Sequence, residues 1–138
     1  MEAYTSFWQN PELEKVDAQV VSISRGGPRW SVPFPYRRLG ALAPCDEAWN
    51  ADDEEGYEAA YLDQLERLGA GSILADVGRL AGNGPALLVC WERPEPGAFC
   101  HRWLLARFLE RETGVRIAEL RPGDLPQRRN VAEPRLFG

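Results

Sequence analysis

Three consecutive side chains, Cys100, His101 and Arg102, set a thiol, an imidazole and a guanidinium side by side shortly after the apolar run PALLVCW of residues 85–91. A thiol at the start of a helix, next to groups that carry positive charge, is drawn toward the reactive thiolate, which makes Cys100 a candidate nucleophile. His101 is the single histidine of the chain, so imidazole-based proton transfer near neutral pH has only this residue to use. Glu92 closes the same run and can act as a base or orient an arginine. Arg102 and Arg25 supply cations for an anion, with Ser24, Cys90 and Trp30 as further ligand contacts at the same edge.

Each of these residues also has a plainer reading. Cys100 and Cys90 can be small core residues. His101 can bond loop carbonyls, Glu92 can pair with Arg93 or Arg102, and Arg25 and Arg29 can lie on a solvated loop. Trp30, Phe34 and Tyr36 can serve packing rather than stacking on a ligand. Cys45, Cys90, Cys100 and His101 add up to a zinc-type set, but no paired C-x2-C spacing supports it, and no metal is assigned. A Cys90–Cys100 disulfide is conceivable across the return from strand to helix and would imply a redox role.

These groups need a scaffold. Residues 4–7 read as a short first strand, and 11–16 as one or two helical turns with Asn10 as N-cap and Pro11 in the first position. Residues 19–24, QVVSIS, read as a strand stopped by Gly26, Gly27 and Pro28. Residues 25–44 are rich in proline and glycine and read as a loop, yet Trp30, Phe34, Tyr36 and Leu39 carry too much apolar surface to hang in water. That loop is expected to cover part of the domain. Residues 52–68 form a helix with Tyr57, Tyr61, Leu65 and Leu68 on one stripe, and Ser72 is expected to cap a second helix through Ala81. Residues 85–91 match a central strand buried on both faces. A helix opening at Phe99 or Cys100 runs to Thr113, where Gly114 ends it, and residues 115–120 alternate as a last strand.

Strands separated by helices imply crossovers, hence an α/β domain in three layers with about four mostly parallel strands, Rossmann-like in outline. One such domain is expected over residues 1–120, with 121–138 as an irregular tail packed on it or trailing from it. In open parallel sheets ligands sit beyond the carboxyl ends of the strands, where residues 24–25 and 90–92 belong.

With 44% hydrophobic and 27% charged residues, the chain has the make-up of a globular domain rather than a disordered one. Its net charge of −5 makes bulk duplex nucleic acid an unfavourable partner but leaves room for a small phosphate group held by one or two arginines. The first residues show no signal peptide pattern, no run is long enough to cross a membrane, and three cysteines without a framework fit a reducing compartment, so a cytoplasmic location is expected. No glycine-rich dinucleotide fingerprint, P-loop or nucleophile elbow occurs, and no cofactor is implied.

The stretch LLVCWERPEPGAFCHRWLLARFLERETGVRIAEL resembles the carboxyl half of the bacterial, archaeal and phage family called domain of unknown function 488, in which a strand ends in a cysteine and a glutamate and Cys-His-Arg opens a helix. The matching positions are Cys90, Glu92, Cys100, His101 and Arg102, while VVSISRGGPRW resembles the family's upstream strand at Arg25 and Pro28. Leu42, Ala43 and Pro44, with Tyr57 and Tyr61, are similar to its middle region, so that the likeness spans about residues 4–120. Longer members often carry an aspartate where this chain has Ser24. The resemblance implies a Rossmann-like fold and settles no activity. The expectation for function is an enzyme acting on a small phosphate-bearing ligand, such as a nucleotide or modified base. A non-catalytic binding module and a thiol or sulfur-transfer protein are the alternatives.

Overall fold

Residues 85–91 are apolar without a break because the strand they build is enclosed on both sides, each residue from Ala86 to Cys90 being buried. The computed structural model describes residues 1–82 and 84–128. Within them, β1 (Ala3–Phe7), β2 (Gln19–Ser22), β3 (Tyr36–Arg38), β4 (Ala86–Cys90) and β5 (Ala118–Glu119) join in one sheet of order β3-β2-β4-β1-β5. Every pairing is parallel, with β4 at the centre: Leu88 lies opposite both Thr5 of β1 and Val21 of β2. The architecture is α/β, as the alternation of strands and helices predicts.

The sheet has five strands rather than about four. The additional one, β3, sits inside the proline-rich segment and pairs Tyr36 with Val20 and Arg38 with Ser22. Its sequence Tyr-Arg-Arg lacks the alternation that marks a half-buried strand, because it is an edge strand with both arginines exposed. The last strand is also shorter than residues 115–120, regular pairing being confined to Ala118–Glu119.

The side chains of β4 divide by parity. Ala86, Leu88 and Cys90 join the core formed with α2 (Glu54–Leu68), α3 (Ala70–Ala81) and α4 (His101–Thr113), whereas Leu87 and Val89 join a second core on the other face. That second face is covered by Trp8, by Leu13 of a 3-10 turn at Pro11–Glu14, by Phe34 of the proline-rich segment and by Leu125. The expected cover is therefore present: Phe34 is buried, and Tyr36 packs edge-on against Trp8 with ring centroids 5.1 Å apart. Asn10 caps the 3-10 turn by accepting from the Glu12 N–H at 3.0 Å. A short helix α1 (Asp46–Trp49) precedes α2, whose N-cap is Asp53.

Ser72 does not cap a second helix. Gly69, at φ 88°, ends α2 and turns the chain so sharply that α3 begins at Ala70, which leaves Ser72 inside it. The segment after β5 returns to the domain: Val16 and Gln127 form an antiparallel bridge, and the Asp17 N–H donates to the Pro126 carbonyl at 2.9 Å. The rest of the tail, 129–138, lies outside the described residues. No helix among the described residues is long and apolar enough to cross a membrane.

Candidate functional site

The chain leaves β2 toward β3 at one edge of the sheet, and leaves β4 through α4 toward β5 at the other. Connections that diverge from neighbouring strands open a crevice between their carboxyl ends. Here it is a cavity of about 690 Å3, within the roughly 300–1,000 Å3 common for small-molecule sites. Ser24, Arg25 and Trp30 line it from the β2 side, and Trp91, Glu92 and His101 from the β4 side. Arg29, Trp49 and Tyr57 complete the wall.

Arg25 is held in place rather than loose. Its guanidinium donates to the Pro44 carbonyl at 2.7 Å and to Asp46 Oδ1 at 3.0 Å, and it lies 5.2 Å from the centroid of the Trp49 ring. Trp30, 43% exposed, stands edge-on to Trp91 at 5.6 Å, so that two indoles border one side of the cavity. Ser24 is buried beneath them, accepting from Trp8 Nε1 at 3.4 Å and bonding to the Ser22 hydroxyl and the Gly26 carbonyl. Burial, together with the nearby Glu92 charge, raises the pKa of Tyr57 and keeps its phenol protonated on the cavity wall.

His101 opens α4 and reaches across to β2, where its Nε2 lies 2.7 Å from the Ile23 carbonyl. A carbonyl only accepts, so Nε2 carries the proton and Nδ1 presents a lone pair, 4.0 Å from Cys100 Sγ. Burial lowers the His101 pKa to about 4; the Ile23 bond opposes this and the Arg102 charge adds to it. The imidazole is thus neutral at physiological pH. Tyr61 braces it edge-on at 5.3 Å and donates its own hydroxyl to the Leu42 carbonyl at 2.6 Å.

Behind this wall lies an enclosed cluster. Cys90 ends β4, Cys100 is the N-cap residue of α4, both are buried, and their sulfurs lie within bonding distance of each other, the pairing conceivable from the sequence. The Arg102 guanidinium donates to Cys90 Sγ at 3.0 Å, to Cys100 Sγ at 3.3 Å and to the Glu92 carbonyl at 2.7 Å. Its other nitrogens grip Glu119, Nε to Oε1 at 3.0 Å and NH2 to Oε2 at 2.9 Å. Glu119 also accepts from Thr5 and from the Trp103 indole. The carboxylate of Glu92 faces the cavity, with Oε1 3.6 Å from Cys90 Sγ.

The structure therefore brings all eight sequence candidates to one edge, but in two compartments. Ser24, Arg25, Trp30, Glu92 and His101 border the cavity, while Cys90 and Cys100 lie behind it. Arg102, expected to hold an anion, is wholly buried and turned to Glu119 and the sulfurs, away from the cavity. Cys100 borders a different, smaller hollow with Phe99 and Arg107. Sequence reasoning overlooked Trp49, Tyr57 and Glu119: Tyr57 reads as part of a core stripe, and Glu119 meets Arg102 only through the pairing of β5 with β1. Trp91, next to Glu92 at the end of β4, carried a usable positional signal. Compared with protein-family models, curated proteins and solved structures, the chain matches none.

Proposed function

We propose that the protein is an enzyme acting on a small phosphate-bearing aromatic ligand, a nucleotide or a modified base, in the cavity at the ends of β2 and β4. One observation carries this reading: two arginines, Arg25 and Arg29, share a cavity of ligand size with the indoles of Trp30, Trp49 and Trp91. Guanidinium groups suit a phosphate, and indole faces suit a planar base. Glu92, on the same cavity wall, is the proton-handling group, since His101 has its Nε2–H bonded to the Ile23 carbonyl and its Nδ1 turned toward Cys100. In this reading Arg25 takes over the anion-holding role that the sequence suggests for Arg102, because Arg102 has its donors engaged elsewhere. We also propose kinship with the domain of unknown function 488 family, on the strength of Cys90, Glu92, Cys100, His101 and Arg102.

The test is a thermal-shift titration of wild type, Arg25→Ala and Trp30→Ala with inorganic phosphate, nucleosides and nucleoside monophosphates. A ligand at a hundred times its Kd stabilises by about 2.7 kcal/mol, a rise of several degrees for a chain of this size. The expected pattern is a shift with monophosphates that Arg25→Ala abolishes and Trp30→Ala reduces. No shift with any of these ligands overturns the reading. The enclosure of both sulfurs and Arg102 favours one alternative, a binding module without thiol chemistry. A ligand shift without turnover of the bound compound would select it.

A further inference from the structure

The sulfur cluster meets a different requirement from the cavity beside it. Cys90 Sγ, Cys100 Sγ, a nitrogen of His101 and a carboxylate oxygen of Glu92 all lie within 4.8 Å of one another. Three of these residues are buried, and they come from the end of β4 and the start of α4, two rigid elements packed on one core. Cys45, the third cysteine of the zinc-type set that the sequence spacing does not support, is not part of this cluster.

We propose that Cys90, Cys100, His101 and Glu92 hold one divalent ion of the zinc class, with Glu92 as the ligand on the cavity side. Thiolate and imidazole donors select zinc over magnesium or calcium, which prefer oxygen. The orientation of His101 fits a ligand. Its Nε2–H is anchored to the Ile23 carbonyl, the outer contact that fixes a metal-bound imidazole and leaves Nδ1 free toward the sulfurs. The Cα atoms of Cys90 and Cys100 are 7.8 Å apart, beyond the range of about 4.4–6.8 Å usual for a disulfide. An ion at about 2.3 Å from each sulfur suits that wider separation of the Cα atoms, the two sulfurs parting to admit it.

The charges agree with this assignment. Zinc with the two buried thiolates and a neutral imidazole is uncharged, and the one net negative charge added by the Glu92 carboxylate falls on the exposed, cavity side of the site, while Arg102 is neutralised by Glu119. The Arg102 N–H groups directed at both sulfurs are the donors a pair of thiolates would attract. Binding replaces the two S–H protons by two S–metal bonds and releases those protons to solvent, with no change in oxidation state. The fourth ligand is a carboxylate facing the cavity, so water or a bound ligand can displace it, which would bring the metal into contact with whatever occupies that space.

Metal analysis of the full chain, purified without chelator or added thiol, tests this directly. About one zinc per chain is expected. After reduction and removal of metal, cobalt should restore an ion with the strong near-ultraviolet absorption of cobalt–thiolate bonds. Cys90→Ser and Cys100→Ser should lose that band, while Glu92→Gln, altered at an exposed position, should keep it and weaken zinc affinity at least about tenfold. Reduced wild-type protein that remains folded by circular dichroism yet takes up neither zinc nor cobalt overturns the proposal, whatever the variants do. So does metal-free purified protein whose intact mass is lighter by two hydrogen atoms, the sign of a disulfide. The metal assignment does not depend on the ligand of the cavity: zinc without a nucleotide shift leaves this site standing and removes the functional reading, and the reverse result does the opposite.

Discussion

Two arginines at the same sheet edge have opposite surroundings. Arg25 lies on the rim of the cavity, with about a third of its side chain exposed and its ion-pair partner Asp46 almost wholly in water. Arg102, at the end of the neighbouring connection, has no exposed surface and meets Glu119 in a two-pronged pair beside both sulfurs. The same guanidinium thus serves two purposes. On the rim its charge remains available to a ligand, because water screens the Asp46 contact and the pair contributes little to stability. In the interior the charge is fully engaged, and removing it would leave the Glu119 carboxylate with only the neutral donors of Thr5 and Trp103 and the Glu92 carbonyl without the Arg102 donor.

The largest expected effect tests the interior side of this contrast. Arg102→Ala should destabilise the fold by about 3–5 kcal/mol in urea unfolding, because Glu119 would keep its charge in a largely enclosed position. A loss below about 1 kcal/mol would mean that the pair is no more than a surface contact and would erase the distinction. Next comes Tyr61→Phe, which leaves the buried Leu42 carbonyl without its donor and should cost about 1–3 kcal/mol. Because Tyr61 also braces His101, this variant sharpens the comparison by asking whether the wall between the two compartments is rigid. The N-cap variant Asn10→Ala, far from either arginine, should lose about 1 kcal/mol and sets the scale for an ordinary local defect. The smallest effect should be that of Arg25→Ala, within about 1 kcal/mol of wild type in the same assay, even though it is the variant expected to abolish a nucleotide-dependent shift. An Arg25→Ala protein as unstable as Arg102→Ala would show that the rim arginine is structural as well.

Much of the scaffold is written in local pattern. The unbroken apolar run at β4, the Asn10-Pro11 start and the glycine after α4 each depend on neighbouring residues, and each appears where the pattern places it. β3 escaped such reading because an edge strand of three residues, two of them arginines, owes its pairing to β2 rather than to its own sequence. The start of α3 was misplaced because the helix-capping tendency of Ser72 is overridden by the turn at Gly69. At the site, residues joined by short connections, from Cys90 to His101, were recognisable together. Tyr57 and Glu119 were not, since their roles come from packing with partners far along the chain.

By itself, the order of residues determined an α/β sheet, its central strand and the edge at which Glu92, Cys100 and His101 gather, because periodicity and turn chemistry act over a few residues. Only the tertiary structure decided which of those groups face the cavity and which turn inward. Exposure is a property of the whole packed chain: the pairing of β5 with β1 brings Glu119 to Arg102, and that contact draws one arginine into the core while the other stays at the rim.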